Sequence, residues 1–233
     1  MQFLKADYTE IWIPSVVVPL IQFADKLQAL AATGIELFGI GRDAEDKRLL
    51  ERLRSFDQIV SWYGSNRPEF RVELERIGVE CVFLDALPPG DANLHATDFF
   101  AAQVGAPAGL IPRLQIEKAE ARGSVVLHPF SGSARKNWPL AKYRELAKLL
   151  PGPVEWLAGP EETLADAFRI EDLGQLAIWL AGARAYVGND SGITHIAAAV
   201  GVPSVVALFG PTEPRVWCPR GENVRVVRFS AVT

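Results

Sequence analysis

Residues 187–200 read VGNDSGITHIAAAV. Together with Ala185 and Tyr186 before it, the segment AYVG suits a buried strand, the small polar residues Asn189 to Gly192 suit a turn, and ITHIAAAV suits a helix. A strand running through such a turn into a helix usually offers backbone N–H groups to a phosphate. Asp190 at the mouth of that turn would repel one. Two uses for it stay open: Asp190 or Ser191 caps the helix, with His195 buried one turn later, or the carboxylate accepts hydroxyl protons from a sugar attached to the phosphate. In the second case Ser191 offers a hydroxyl and Gly192 lets the ligand approach the backbone.

The same alternation runs outward on both sides. Upstream, GSVVLHP (123–129) reads as a strand, PLAKYRELAKLL as a helix, PVEWLAG as a strand and DLGQLAIWLAGA as a helix. Downstream, SVVALFG and NVRVVRF read as two more strands. Short apolar strands alternating with helices of about ten residues predict a parallel sheet covered on both faces. Pro139 suits a helix start, Asp172 with Gln175 a capping box, and Gly182 and Gly201 helix ends.

The first half alternates as well. EIWIP, IELFGI, DQIVSWYG and VECVFLD are the expected strands, with helices around 15–32, 44–55, 68–77 and 96–104. The fold class is therefore α/β with two parallel-sheet domains. The Gly- and Pro-rich stretch 105–123 separates them, giving domains at 1–112 and 113–233.

Composition narrows the function. The chain has 233 residues, 49% of them hydrophobic, enough for packed cores. A net charge of −4 and a pI near 5.5 argue against nucleic acid as a partner. Cys81 and Cys218 lie far apart, His95, His128 and His195 are scattered, and no metal-ligand spacing occurs, so no metal and no cofactor is expected. No apolar run reaches the ~18 residues of a membrane span, and MQFLKADYTE lacks a signal-peptide core, which predicts a cytoplasmic protein.

A second strand end carries chemistry of the same kind. HPFSGSARKNWP, residues 128–139, lies at the carboxyl edge of the predicted sheet, where open α/β sheets bind ligands. Ser131, Gly132 and Ser133 present hydroxyls and open backbone, and Lys136 can bring a point charge to a phosphate. Alternatively the segment is a surface turn with Lys136 solvated and Trp138 packed under the helix. Two other patterns weaken: Ser191 and His195 lack the G-x-S-x-G context of a hydrolase, and GIGRDA (39–44) fits a dinucleotide fingerprint without its ribose-binding acid. KRLLERLR (47–54) reads first as a solvated cationic face, with an anionic acceptor as the other use.

HPFSGSARKNWP, the following WLAGPEE, and VGNDSGITHIAAAVGVPSVVALFGPTEP together resemble the ADP-heptose:lipopolysaccharide heptosyltransferase family in motif order and spacing. The resemblance implies a B-type glycosyltransferase fold of two Rossmann-like domains with a cleft between them, inversion at the anomeric centre and no metal ion. It implies that Ser131, Ser133 and Lys136, with Ser191 and Gly192, grip the donor diphosphate, Lys136 opposing charge on the departing ADP. Glu161 would accept from the ribose, the backbone at Glu171 would meet adenine, and Asp190 would hold the heptose hydroxyls.

FDQIVSWYGSN and HATDFFAAQVG resemble the family's first domain, which places Gly64, Ser65 and Asn66 on the acceptor side. Family members open with a strand and a Gly-Asp loop whose acid deprotonates the acceptor. This chain has no such segment before EIWIP, so the resemblance implies an N-terminal domain short of about 50–60 residues, one strand–helix–strand unit. Asp7 or Glu10 would be the substitute base if the N-terminus folds back to the cleft. The family's returning C-terminal helix is missing as well. The expected partners are a nucleotide-sugar donor such as ADP-heptose and a lipopolysaccharide core acceptor, met at the inner face of the inner membrane with at most peripheral association. The alternatives are a non-catalytic nucleotide-sugar module and another B-type transferase or epimerase.

Overall fold

The computed structural model describes residues 6–38, 47–90, 93–116 and 119–230. They form two compact units, Met1–Ala92 with Ala102–Ala106, and Asn93–Ala101 with Pro107–Thr233.

In the first unit β1 (Glu10–Ile13) is followed by a 3-10 segment, Ser15–Leu20, and then by β2 (Lys26–Ala29). Next come α1 (Lys47–Arg54), β3 (Ile59–Ser61), α2 (Pro68–Arg76) and β4 (Cys81–Phe83); α3 (Ala96–Gln103) follows, its residues 96–101 belonging to the second unit. Strand β1 pairs in parallel with β2, and β3 in parallel with β4, as two separate two-stranded sheets. Both sheets share one core: Trp12 of β1 and Ile59 of β3 pack on a cluster that includes Leu49, Leu53, Phe70 and Leu74 from α1 and α2.

Two expectations fail here. The helix around 15–32 is instead the 3-10 segment and strand β2, and the strand IELFGI is a 3-10 turn over Ile35–Leu37. Pro19 lies within the 3-10 segment and removes a donor that an α-helix would need. β2 reads KLQA, with no β-branched residue; pairing creates it, because Asp25 and Lys26 both donate their N–H to the Thr9 carbonyl and the Asp25 carboxylate accepts from Thr9 N at 2.7 Å. The fingerprint GIGRDA, residues 39–44, lies outside the described residues.

The second unit contains β5 (Val125–His128), α4 (Leu140–Leu149), β6 (Val154–Trp156), α5 (Leu173–Ala181), β7 (Ala185–Asn189), α6 (Gly192–Ala199), β8 (Val205–Phe209), a short helix α7 (Pro214–Trp217) and β9 (Val224–Arg228). The five strands make one parallel sheet in the order β6-β5-β7-β8-β9. Its centre is apolar on both faces: Val126, Leu127, Tyr186, Val205, Ala207 and Phe209 are fully buried. Asp172 caps α5, accepting from Gln175 N at 2.8 Å, and Gly182 at its end is fixed by proximity, since a Cβ there would lie 2.1 Å from the Glu120 carbonyl.

Residues 93–101 are held to this unit by polar contacts. His95 Nε2 lies 2.9 Å from the Cys218 carbonyl, and the Asp98 carboxylate takes both Arg220, at 2.7 Å through Nη1, and Gly109 N, at 2.7 Å. Those hydrogen bonds hold the Asp98 carboxyl down at about 2. Among the described residues no helix is long and apolar enough to cross a membrane.

Candidate functional site

Numbered within its own unit, the five-stranded sheet runs 2-1-3-4-5. The chain therefore leaves β5 towards β6 on one side and returns to β7 on the other. Such a switch point opens a crevice beyond the carboxyl ends of the two middle strands, the place where open α/β sheets bind ligands. Beyond the ends of β5 and β7 stand the two segments that carry the polar motifs, 129–137 and 190–192.

The segments meet there. Lys136 Nζ lies 3.0 Å from Asp190 Oδ2 and 3.5 Å from the Asp190 carbonyl, and Thr212, from the loop after β8, donates to the same Oδ2 at 2.8 Å. The Asp190 side chain is 9% exposed and that of Lys136 30%. Three successive strand ends of the switch thus focus on one carboxylate, while the ammonium keeps a face to solvent and one further donor.

A buried amide holds the frame. Asn189, at the end of β7, is wholly inaccessible; its Oδ1 accepts from Trp138 N at 2.9 Å and from Tyr143 Oη at 3.2 Å, tying the 129–138 loop and α4 to the central strand. Its Nδ2 is buried without a partner among the described residues. Trp138 packs edge-on to Tyr143 with ring centroids 5.1 Å apart, so the packed-tryptophan alternative holds for Trp138 while Lys136 is paired and not merely solvated. His128, below the crevice, lies 3.1 Å from Tyr186 Oη, and burial pushes its pKa down to about 4, which keeps it neutral.

The helix cap is settled. Ser191 caps α6: its side chain accepts from Thr194 N at 3.4 Å and lies 3.2 Å from Thr194 Oγ1. Asp190 is no cap. Gly192 is exposed, with open space where a Cβ would stand. His195 is exposed, not buried; desolvation lowers its pKa and the charge of Asp190 opposes that shift.

The other sequence-predicted residues scatter. Ser131 turns inward, donating to the Ser133 carbonyl at 2.9 Å and lying 2.7 Å from Asn137 Oδ1, so at rest it shapes the loop. Glu161 is exposed in the turn after β6, whereas its neighbour Glu162 accepts from Gly159 N at 2.6 Å. Glu171 is exposed just ahead of α5. In the first unit Gly64 is packed under Phe70, 2.5 Å from where a Cβ would stand, with φ at 74°, which is reason enough for a glycine there. The Ser65 carbonyl accepts from Arg71 at 2.7 Å, and Asn66 is exposed.

Asp7 is exposed, while Glu10 is fully engaged. Its carboxylate has no solvent-accessible surface and takes Arg52, Trp12 Nε1 at 2.7 Å and Lys26 at 3.4 Å. Burial works to raise its pKa, but the hydrogen bonds from Arg52 and Trp12 and the two cations leave it below the ordinary carboxylate range.

Sequence reasoning missed Thr212 and Asn189. Thr212 stood in view within GPTEP after a strand. Asn189 gives no sign in sequence, because only its burial shows that it clamps.

Residues 170–232, which include β7, α6, β8 and β9, match the profile of glycosyltransferase family 9 (heptosyltransferase). Lipooligosaccharide heptosyltransferase 2 of Haemophilus ducreyi is 33% identical over a stretch covering 40% of this chain and 33% of that protein. Lipopolysaccharide heptosyltransferase 2 of Escherichia coli K12 is 35% identical over 40% of this chain and 32% of its own length. The matched stretch thus spans about a third of the length of these curated relatives. Among solved structures, ADP-heptose lipopolysaccharide heptosyltransferase II of E. coli superposes with a TM-score of 0.66 at 21% identity, over 94% of this chain and 81% of that one. An E. coli heptosyltransferase solved with ADP gives 0.58 at 18% identity over 88% and 78%. At those identities the likeness is one of fold, and it runs through both units.

Proposed function

We propose, from the premise that residues 170–232 match glycosyltransferase family 9, that this chain binds ADP-heptose at the ends of β5, β7 and β8 and serves heptose transfer to a lipopolysaccharide core. One observation carries the reading: Lys136, Asp190 and Thr212 converge at the switch point of the sheet. The cation and the carboxylate suit a ligand that joins a diphosphate to a polyhydroxylated ring.

Lys136 has a donor left after Asp190 is served, and its charge opposes the charge that grows on the leaving diphosphate as the anomeric bond breaks. Asp190 Oδ1 is bound by no described residue and accepts from the sugar, while Oδ2 stays fixed by Lys136 and Thr212. The N–H groups at the start of α6, with Gly192 open and Ser191 adjacent, face the phosphate. Ser131 and Ser133 join by rotating their hydroxyls, Glu161 accepts from the ribose, and the backbone at Glu171 meets adenine. Displacement from the face opposite the diphosphate inverts the anomeric carbon, with Lys136 supplying the charge that a metal would. Gly64, Ser65 and Asn66 remain the acceptor-side assignment, and the enzyme works in the cytoplasm at the inner face of the membrane.

A second reading, donor binding without turnover, is favoured by Glu10, whose carboxylate is saturated by Arg52, Trp12 and Lys26 and is unfit to take a proton. Losing a general base costs about 10²–10⁴-fold in rate. Calorimetry with ADP and ADP-heptose tests the shared premise, and absence of heat with both would sink both readings. Release of ADP from ADP-heptose in the presence of core acceptor separates them: donor binding with negligible release is expected of this chain, and family-like turnover would show that a base is present.

A further inference from the structure

Between β6 and α5 the chain passes through residues 158–172 without helix or strand, apart from one parallel bridge between Leu157 and Phe168. The bridge closes the loop on itself. Phe168 N donates to the Trp156 carbonyl at 2.8 Å, and the Phe168 carbonyl accepts from Ala158 N at 3.1 Å. Residues 159–167 have no ladder to take their carbonyls, and every such group needs a partner. The residue just past the bridge supplies one. Arg169 Nη2 donates to the carbonyls of Glu162 and Leu164, at 2.8 and 2.9 Å, and Nη1 to that of Ala167 at 3.1 Å. The loop is thus wrapped around one guanidinium, whose planar fork of donors holds several acceptors in a fixed arrangement.

The charges in the loop point the same way. Residues 159–172 carry the carboxylates of Glu161, Glu162, Asp166, Glu171 and Asp172, and Arg169 is the only cation among them. Its guanidinium nevertheless goes to carbonyls, so its place in the loop is set by backbone shape. Two of the carboxylates shape the loop as well: Glu162 accepts from Gly159 N at 2.6 Å, and Asp172 caps α5. Asp166 holds a φ of 56°, a conformation that a residue other than glycine keeps only where its surroundings hold it. Glu161 differs from these. It is exposed, and its carboxylate takes no donor among the described residues, while its neighbour Glu162 is tied through its side chain to Gly159 and through its carbonyl to Arg169. A free carboxylate therefore stands on a turn whose backbone is fixed beside it.

We propose that Arg169 is a positioning residue for the nucleoside half of the donor. It touches no part of the nucleotide; by holding the carbonyls of Glu162, Leu164 and Ala167 it fixes the turn from which Glu161 reaches the ribose, in register with the Glu171 backbone two residues further on. This rests on the reading that ADP-heptose binds at the ends of β5, β7 and β8, and it divides that site in two. Lys136 and the start of α6 hold the phosphates however the loop is set. Recognition of the ribose hydroxyls depends on the loop, and so on Arg169. A lysine in its place keeps the charge and loses the planar fork, which separates geometry from charge.

Calorimetry with inorganic pyrophosphate, ADP and 2′-deoxy-ADP tests it, since the first carries the phosphates alone and the last lacks one ribose hydroxyl. The parent protein is expected to prefer ADP to 2′-deoxy-ADP about tenfold, as one hydrogen bond to a charged acceptor would give. In Arg169→Lys and Arg169→Ala that preference should fall to about twofold or less, with pyrophosphate affinity unchanged. Glu161→Gln should lose the preference by itself, and adding Arg169→Lys to it should remove nothing more, because one residue acts through the other. Hydrogen exchange at residues 161–168 of the free protein should quicken in both Arg169 variants. A full preference for ADP in Arg169→Lys and Arg169→Ala would overturn the assignment and leave the donor reading in place. Loss of pyrophosphate binding along with the preference would also overturn it, by making Arg169 a residue that the whole domain needs to fold. A parent protein that binds ADP and 2′-deoxy-ADP equally would take Glu161 away from the ribose and Arg169 with it. One that binds neither ADP nor pyrophosphate would overturn the donor reading itself, and this proposal with it.

Discussion

The two units are built from the same parallel strand–helix–strand units and complete them differently. In the second, five strands form one ladder, and the middle strands β5 and β7 each have a neighbour on both sides. Among the described residues of the first, four strands form two pairs, β1 with β2 and β3 with β4. A strand bonded on both sides cannot shift along its axis without breaking two ladders, so its end is a fixed point from which Lys136, Asp190 and Thr212 can be aimed. The glycine- and polar-rich turn Gly64 to Asn66 in the first unit hangs from β3, which pairs with β4 alone among the described residues. Recognition chemistry collects where the sheet is continuous.

Truncating a buried side chain in each sheet tests that difference most strongly. Leu127→Ala, at a fully buried position on β5, is expected to cost about 2–5 kcal/mol of stability. Val60→Ala, at a partly buried position on β3, removes methyl groups that are only partly covered and should cost about 1 kcal/mol or less. Hydrogen exchange read strand by strand is the measurement, because it reports the local stability of each sheet. Equal losses would mean that the open sheet is as tightly packed as the continuous one.

Acid should act on the continuous sheet through His128. Its pKa is about 4 in the fold, against an ordinary 6.5, so between those values the unfolded chain binds the extra proton and stability falls as the pH falls. The slope is about 1.4 kcal/mol per pH unit across the window, roughly 3 kcal/mol in all, and the contribution is fully present above pH 6.5. Urea midpoints at pH 7.5, 5.5 and 4.5 should show it, and His128→Phe should flatten it. A slope unchanged in His128→Phe would assign the acid sensitivity to other groups, with His95 and His195 next in line because their pKa values are also lowered by burial.

Within the site, Lys136→Ala is expected to weaken ADP about tenfold or more, since a charge-assisted hydrogen bond contributes roughly 1.5–3 kcal/mol. Asp190→Ala releases Lys136 from its ion pair, so ADP should bind at least as well as before while the added affinity of ADP-heptose over ADP disappears. Calorimetry with the two ligands reads both effects. Parallel losses of ADP in the two variants would mean that the pair acts as a unit, and the division between phosphate and sugar would have to be given up.

The second unit was legible because each of its strands is a short apolar run ended by a glycine, proline or capping residue, and because a parallel sheet covered on both faces writes that pattern directly into sequence. The order of the polar motifs then located the strand ends, and Lys136 and Asp190 with them. Thr212 and Asn189 were not legible: one threonine among several and a buried amide gain their meaning only from what they touch. The first unit was read less well where pairing overrides composition. KLQA is a strand because Thr9 and Asp25 lock it beside β1, and IELFGI, with strand-like residues, turns at Ile35–Leu37 after Gly34, whose φ of 76° redirects the chain.

The smallest effect concerns Ser191, which serves two purposes in the donor-binding reading and can be made to separate them. As the cap of α6 its side chain accepts from Thr194 N, and losing a cap of this kind costs about 0.5–2 kcal/mol when alanine replaces it but only a few tenths when glycine does. As a phosphate ligand its hydroxyl is lost equally in both substitutions. Ser191→Ala should therefore be about 1 kcal/mol less stable than the parent and Ser191→Gly nearly as stable, while both lose ADP affinity to a similar degree. If ADP affinity falls in Ser191→Ala and survives in Ser191→Gly, the hydroxyl touches no phosphate and acts only through the helix it caps. The backbone at Gly192 and the ammonium of Lys136 would then hold the diphosphate without it, and the continuous sheet would owe its anion site to strand-end geometry more than to side chains.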